Sequence, residues 1–277
     1  MNEMSGIIND DGTFYRAEPQ YAPLLREIGL VDGESIYEHP DIKPWRILPD
    51  RENCTLDATL SNGSSIRLHI KRWKKYEAFR LFGPYAEAAG IKFLQRANIL
   101  SVPFAASGLL LDGRGFVITE DLTALGYDDT EKLIERNAVK FDDVRDALAD
   151  VAAKLHKAKL RHRDMYLCHF FVNTNDPTKD VRLIDAARVS TRPRFFGGRW
   201  IIKDLAQFWY STTQLDITDN QRDAWLTRYC EQTGDDFSRL RMKVIAKSNS
   251  IARHDAKLKQ KQPTRNVSIP RTGGTSA

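Results

Sequence analysis

Alternating apolar and polar positions predict strands in the first part of the chain. Residues 45–48 and 54–60 alternate in this way, and residues 65–71 follow them. The dipeptide Asn62-Gly63 lies between the last two segments and is typical of a two-residue hairpin turn, so these segments are predicted to pair antiparallel. The same patterns predict, in chain order, a helix over residues 84–97 and strands over residues 102–107 and 115–119.

Helical periodicity dominates the second part of the chain. Residues 141–158 place apolar side chains on one helix face. A short hairpin is predicted from strands over residues 170–172 and 181–184, and further helices are predicted to begin near residues 203, 220 and 235. The order predicts an α+β protein with a small β-rich lobe and a larger α-rich lobe. The predicted boundaries are residues 1–121, 122–255 and a basic, disordered tail over 256–277.

Composition narrows the cellular setting but does not choose a partner. The chain has 277 residues, of which 42% are hydrophobic, as expected of a protein with a packed core. A net charge of +5 suits nucleic acid, an anionic membrane or phosphorylated substrates alike. Three scattered cysteines predict no disulfide framework. The N-terminus lacks a signal-peptide pattern, and no uncharged run reaches the ~20 residues of a membrane span, so the protein is predicted to be cytoplasmic.

The triplet His162-Arg163-Asp164 follows the predicted helix and precedes the predicted hairpin. A kinase catalytic loop occupies this position. Phosphoryl transfer to a hydroxyl requires a carboxylate that orients the hydroxyl and accepts its proton, which is the role predicted for Asp164. The triplet alone is a weak signal, because any three-residue string recurs by accident. The alternative is a helix C-terminus with basic residues near its last carbonyls.

Four further residues strengthen this interpretation through their order along the chain. Asp185 ends a predicted strand, where it can bind the Mg²⁺ that bridges the phosphates of ATP. Lys71 is predicted to bind phosphate, with Glu87 on the next helix as its anionic partner. Asp204 opens a later predicted helix and is expected to hold the catalytic loop. Taken singly, these residues also fit a turn aspartate, a solvated lysine and a helix-start aspartate. Together they predict a two-lobed, protein-kinase-like fold.

Residues 162–170 resemble the signature of the lipopolysaccharide core kinases, the bacterial heptose and Kdo kinases. Its most specific part is the set Tyr166, Cys168, His169 and Phe170, which ordinary protein kinases lack. The resemblance covers roughly residues 60–210. It implies ATP, Mg²⁺ and, as acceptor, a sugar hydroxyl of the lipopolysaccharide inner core, carried by a glycolipid. It also implies a place at the cytoplasmic face of the inner membrane, with His162 and Arg163 supporting the loop.

Two departures from ordinary kinases concern the metal and the phosphates. His169 stands five residues after Asp164, where kinases place an asparagine that binds metal. Mg²⁺ prefers oxygen, so His169 is a candidate metal ligand with hydrogen bonding to phosphate or to the loop as the alternative. Residues 48–53 contain no glycine cluster, and Arg51 is predicted to contact phosphate there. The adenine is predicted to lie against the connector at Glu120 and Leu122.

Basic residues suggest the acceptor side. Arg192, Arg194 and Arg199 lie beside aromatic residues and suit an acceptor rich in phosphate and carboxylate, although pairing with nearby acids is an equal alternative. Residues 71–76 and the basic tail suit peripheral contact with an anionic membrane, although a solvated face is the commoner explanation.

Other functions remain open from the sequence. The chain fits a kinase of another acceptor, such as a protein side chain or a small alcohol, or a non-catalytic pseudokinase. Retention of Lys71, Asp164 and Asp185 together favours an active enzyme. Nucleic-acid binding has only the basic charge in its favour and no recognised motif, so no nucleic-acid partner is expected.

Overall fold

A seven-stranded antiparallel sheet forms the N-terminal region. The computed structural model describes residues 7–8, 14–74, 83–193 and 197–261. The strand order is β1-β2-β6-β7-β5-β4-β3. The strands are β1 (Ile7–Ile8), β2 (Phe14–Ala17), β3 (Lys43–Ile47), β4 (Arg51–Thr59), β5 (Ser65–Trp73), β6 (Phe104–Leu109) and β7 (Gly115–Glu120).

Helices dominate the rest of the chain, which confirms the predicted α+β class. The helices are α1 (Ala22–Glu27), α2 (Ser35–Glu38), α3 (Pro84–Arg96), α4 (Thr130–Glu135), α5 (Phe141–Lys157), α6 (Gly198–Thr212), α7 (Asp219–Thr233) and α8 (Phe237–Lys261). Five short strands lie among them: β8 (Tyr127–Asp129), β9 (Leu160–Arg161), β10 (Phe170–Asn173), β11 (Arg182–Leu183) and β12 (Ser190–Thr191). The predicted pairing of β10 with β11 is confirmed.

The β4–β5 hairpin has the predicted pairing but a longer turn than predicted. Thr59 pairs with Ser65, and the N–H of Leu60 donates to the carbonyl of Ser64 at 2.8 Å. Three residues therefore form the turn instead of two. Gly63 takes the left-handed conformation at φ 81° that such a turn requires.

The two faces of the sheet pack into two different cores. Leu68 and Ile70 of β5 point to a core that α1 and α2 cover, through residues such as Leu25 and Ile36. Because side chains of a strand alternate between faces, Lys71 must point to the opposite face, towards α3. That face leads into the larger core, which continues through α5, α6 and α7. The sequence analysis missed α1 and α2.

Two helices differ from their predicted bounds. α6 begins at Gly198, so Lys203 and Asp204 lie well inside the helix and do not open it. α8 extends through Lys261, so the first six residues of the predicted disordered tail are helical. Asp255 supports this extension, because it lies 3.4 Å from Lys259 one turn later. Residues 262–277 lie outside the described residues. The predicted lobe boundary after residue 121 stays a prediction.

Helix α3 packs directly on the backbone that follows Asp185. A Cβ atom added at Gly90 would lie 1.9 Å from the carbonyl oxygen of Ala186. Ala186 opens a short 3-10 helix immediately after Asp185. Glycine at position 90 therefore sets the distance between α3, which carries Glu87, and the segment that carries Asp185.

Gly90→Ala should destabilise the protein, even though alanine is the better helix former by roughly 1 kcal/mol. The added methyl group overlaps a backbone oxygen, and such overpacking costs about 1–3 kcal/mol, so we expect a net loss of stability. Urea unfolding measures it. Ala89→Ser, on the exposed side of the same turn, serves as the control and should change stability by less than about 0.5 kcal/mol. A Gly90→Ala protein more stable than the wild type would contradict the close packing.

Candidate active site

Lys71, Glu87 and Asp185 meet between the sheet and the helical region. They come from β5, from α3 and from the segment that follows β11. The Lys71 ammonium contacts the Glu87 carboxylate, and its Nζ lies 3.8 Å from Oδ1 of Asp185. Burial by itself lowers the pKa of Lys71, but the carboxylates of Glu87 and Asp185 reverse this effect and raise the pKa. The side chain of Lys71 is therefore mostly buried and protonated at neutral pH.

Asp185 holds an unusual backbone conformation at this point. Its φ of 56° and ψ of 57° lie in the left-handed region, which aspartate tolerates better than most residues. Burial by itself raises the pKa of Asp185, but Lys71, His169 and His162 lower it below the ordinary value. The carboxylate of Asp185 is consequently ionised at neutral pH.

Asp164, His169 and Asp185 form a group that fits a metal ion. One ligand atom from each lies within 4.8 Å of the other two. Nδ1 of His169 donates to the backbone carbonyl of Asp164 at 2.6 Å, which fixes the ring and leaves Nε2 3.7 Å from Oδ2 of Asp185. The two carboxylates supply the oxygen ligands that Mg²⁺ prefers.

The protonation of His169 limits its part in metal binding. Burial lowers the pKa of His169, but Cys168, Asp185 and Asp164 together raise it well above the ordinary value. A protonated imidazole has no lone pair at Nε2. The carboxylates of Asp185 and Asp164 thus favour the protonated ring, and Nε2 of His169 can bind a metal only in the neutral form.

Helix α6 holds the predicted catalytic loop, residues 162–170, through three buried side chains at helical spacing. Asp204 accepts the N–H of Arg163 at 2.7 Å and the N–H of His162 at 2.8 Å. Gln207, one turn later, donates to Oδ1 of Asp164 at 3.5 Å and accepts the N–H of Met165. Ser211 accepts the N–H of Leu167 at 2.9 Å. The sequence analysis missed Gln207 and Ser211, although their positions three and seven residues after Asp204 were a usable signal.

His162 ties the catalytic loop to the strand that precedes Asp185. Its ring is fully buried, and Nε2 donates to the carbonyl of Ile184 at 2.9 Å. Arg163 follows with a left-handed φ of 71°. The strained backbone at Arg163 and at Asp185 brings Asp164 and Asp185 to the same cleft.

The β3–β4 hairpin adds positive charge above this cleft. Arg51, the predicted phosphate contact, helps to lower the pKa of Asp185. Arg46 was missed by the sequence analysis. Burial and then Arg51 lower the pKa of Arg46, and the carboxylate of Asp185 is near enough to oppose this shift. Asn53 lies opposite Lys71 in the β4–β5 register, and its buried Oδ1 has no hydrogen-bond partner in the described part of the chain.

The predicted adenine connector is tied to the N-terminal segment. The N–H of Glu120 donates to the carbonyl of Pro103 at 2.9 Å, and its carboxylate accepts the hydroxyl of Tyr21. Leu122 is buried. The N–H and the carboxylate of Glu120 are thus already hydrogen-bonded within the fold.

His69 and Trp45 form an aromatic pair near this connector, and both were missed. His69 lies two residues before Lys71 and points to the same face of β5. Its ring centroid lies 5.9 Å from that of Trp45, a side chain that is 40% exposed. Burial, and then Lys71, lower the pKa of His69 to about 4, so this imidazole is neutral at pH 7.

Two of the three predicted acceptor arginines lie within the described part of the chain, and their contacts differ. The N–H of Arg192 donates to the carbonyl of Lys159 at 2.7 Å, and its side chain passes close to Gly197. Arg194 lies outside the described residues. Arg199 is exposed and lies over the ring of Trp200, 4.8 Å from the ring centroid.

Trp200 is the centre of a basic cavity beside the catalytic loop. Besides Arg199, three cations lie over its ring, at 4.2 Å for Arg161, 5.3 Å for Arg163 and 5.8 Å for Lys203. The cavity has a volume of about 320 Å³, and its lining residues are Arg199, Trp200, Ile202, Lys203 and Lys247. Burial, followed by neighbouring cations, lowers the pKa of both Arg161 and Arg163. Concentrated positive charge of this kind favours an anionic ligand.

Comparison with known proteins identifies the family. Residues 69–229 match the lipopolysaccharide kinase (Kdo/WaaP) family. The chain belongs to that family. The lipopolysaccharide core heptose(I) kinase WaaP of Escherichia coli K12 is 33% identical over 136 residues, which cover 45% of this chain and 49% of that protein. The protein of the same name from Pseudomonas aeruginosa is 35% identical over 91 residues, or 30% of this chain and 32% of that protein.

The aligned segments thus span half or less of the length of these Kdo/WaaP relatives. Among solved structures, a chain of the CAK complex of Chaetomium thermophilum bound to ATP-γ-S has a TM-score of 0.44 at 13% identity, covering 72% of this chain and 70% of that chain. The PAN3 pseudokinase of Neurospora crassa has a TM-score of 0.41 at 12% identity, covering 80% and 65%.

Asp204→Asn should destabilise this Kdo/WaaP family member. An amide keeps the size of the side chain but offers one oxygen where two buried N–H groups donate, and hydrogen bonds to charged groups contribute about 1.5–3 kcal/mol. Urea unfolding should show a loss of this order. Asp216→Asn makes the same change of charge at an exposed position of the α6–α7 loop and should leave stability unchanged. Equal stability of the two variants would show that Asp204 does not hold the loop.

Proposed function

We propose that the protein is an ATP-dependent kinase that phosphorylates a sugar hydroxyl of the lipopolysaccharide inner core, on heptose or Kdo. One observation carries the proposal: Lys71, Glu87 and Asp185 meet beside Asp164 in a chain of the Kdo/WaaP family. Each residue has a chemical type that phosphoryl transfer requires at that place.

The nucleotide would lie between the sheet and the catalytic loop. Lys71 is charged, directed by Glu87 and suited to bind phosphate, with Arg51 and Arg46 on the hairpin above. Asp185 would hold Mg²⁺, with His169 as a further ligand after deprotonation. When bound, Mg²⁺ neutralises charge on the phosphates. The base would lie against the connector at Glu120 and Leu122, where neutral His69 and Trp45 offer rings for stacking.

Asp164 would orient the acceptor hydroxyl and accept its proton. Its side chain is partly exposed to the cleft, and Gln207 and the buried loop hydrogen bonds restrict its position. A carboxylate fixed in this way lowers the barrier by holding the hydroxyl in line with the phosphorus that it attacks.

The basic residues of the Trp200 cavity are an argument for an anionic acceptor. Arg199 and Lys203 line it, and Arg163 connects it to the catalytic loop. An inner-core sugar carries carboxylate and phosphate groups that such cations would bind. Because that acceptor is a glycolipid, we place the protein in the cytoplasm, peripheral to the inner face of the inner membrane. None of the helices in the described ranges combines the length and apolar character of a membrane crossing.

Asp164→Asn should lower both kcat and kcat/KM by roughly 10²- to 10⁴-fold while ATP affinity changes little, because the lost base acts in the transition state. Acceptor-dependent ADP release, with labelled ATP, Mg²⁺ and defined core oligosaccharides, measures the rates. Asp216→Asn is the matched control and should keep full activity. Protein and small-alcohol acceptors belong in the same assay. Phosphorylation of these alone would overturn the acceptor class, and transfer to no acceptor at all would indicate a pseudokinase.

His69→Ala combined with Trp45→Ala should weaken ATP binding by roughly 5- to 100-fold, because base stacking contributes about 1–3 kcal/mol. Binding of inorganic tripolyphosphate, which has no base, should stay unchanged. Calorimetry with both ligands makes the comparison. Ile47→Ala, an exposed residue on the same strand as Trp45, is the control. Equal weakening of both ligands would mean that the two rings support the phosphate site and do not contact the base.

A further inference from the structure

Helix α8 carries a continuous line of basic side chains. Of its 25 residues, eight are Lys or Arg and one is Asp. Five of these cations recur at multiples of the helical repeat, so they lie on one side of the helix, and all five are exposed. We call this line the basic stripe; its members are Arg239, Lys243, Lys247, Lys257 and Lys261. At 1.5 Å per residue the stripe is about 33 Å long.

The stripe is not neutralised within the fold. Asp255, the acid of α8, turns away from it, accepts the hydroxyl of Tyr210 at 2.7 Å and lies near Lys259. Arg241, off the stripe, pairs with Asp223 at 2.6 Å. Over residues 7–8, 14–74, 83–193 and 197–261, no stripe residue forms an ion pair. The charge of the stripe is therefore available to an external anion.

The stripe also adjoins the candidate acceptor site. Lys247 belongs to the stripe and lines the Trp200 cavity with Arg199 and Lys203. The cavity lies where α8 packs along α6. A surface that engages the stripe consequently lies next to the opening of the cavity.

We propose that the basic stripe docks the protein on the anionic headgroups of a lipid bilayer and so brings the Trp200 cavity to a membrane-anchored acceptor. The membrane-anchored acceptor in this proposal rests on the proposed function, whereas the binding of the stripe to headgroups is independent of it. A bilayer is favoured over an acidic protein because the stripe is long and uniformly charged. Met242 is the one large apolar side chain of α8 that is mostly exposed, whereas a protein–protein interface is anchored by a cluster of such side chains.

Two triple variants test the stripe at constant loss of charge. The first is Arg239→Gln/Lys243→Gln/Lys257→Gln, which leaves Lys247 of the cavity in place. The second is Lys140→Gln/Lys157→Gln/Lys259→Gln, which removes three exposed cations from outside the stripe. Co-sedimentation with phosphatidylcholine vesicles, with and without phosphatidylglycerol, measures binding. Each cation near an anionic surface contributes about a fivefold gain in affinity, so the stripe variant should lose on the order of 100-fold.

The control variant should lose less than about 5-fold, and wild-type binding should weaken with salt. If the two variants lose vesicle affinity equally, net charge alone explains the binding and the proposal is overturned. So would wild-type protein that ignores phosphatidylglycerol, or vesicle binding that the stripe variant retains in full.

Activity separates this proposal from the proposed function. Both triple variants should phosphorylate a soluble core oligosaccharide at the wild-type rate, while the stripe variant alone should be slow on the same acceptor embedded in vesicles. Equal rates of the two variants on vesicles would count against the stripe. Wild-type protein that phosphorylates neither acceptor would refute the kinase, and the vesicle-binding comparison would still decide the role of the stripe.

Discussion

The buried charge of Lys71 is the constraint on which the rest of the site depends. A mostly buried ammonium is stable only with anionic partners, and here they come from two other parts of the chain, Glu87 on α3 and Asp185 after β11. Satisfying Lys71 thus requires the sheet, α3 and the helical region to meet. Gly90 permits this meeting, because any side chain there would push α3 away from Ala186. The same contact that stabilises the fold brings together the groups proposed to bind phosphate and metal.

Helix α6 provides the second half of the site by serving two purposes. Its buried side, through Asp204 and Gln207, fixes the backbone and carboxylate of the catalytic loop. Its first turns, through Trp200 and Lys203, form the basic cavity. A rigid helix therefore sets the distance between the proposed base, Asp164, and the groups proposed to hold the acceptor. Such rigidity is what orientation of an acceptor requires.

The sequence was informative where local pattern and chemistry coincide. The β4–β5 pairing follows from alternation around Asn62-Gly63, and the family from the run after Asp164. Helices α1 and α2 were missed, because six and four residues are too few to establish a period. The start of α6 was misplaced by a glycine pair that signals a turn. Clusters such as Trp45 with His69 depend on strand register and tertiary packing, which no spacing along the chain reveals.

The basic character of the chain, which composition alone could not assign to a partner, is separated in space. Near Asp185 the cations Lys71, Arg46 and Arg51 lie close to carboxylates, so groups suited to an anion and groups suited to a metal stand side by side. Around Trp200 and along α8, cations outnumber acids. The acids that are present, such as Asp204 near Arg163 and Asp255 near Lys259, balance only part of that charge. Repulsion between these cations raises the free energy of the isolated protein, and the binding of an anionic ligand lowers it. The proposed nucleotide site thus lies within the cleft, whereas the exposed positive charge of α8 lies along one side of the helical region.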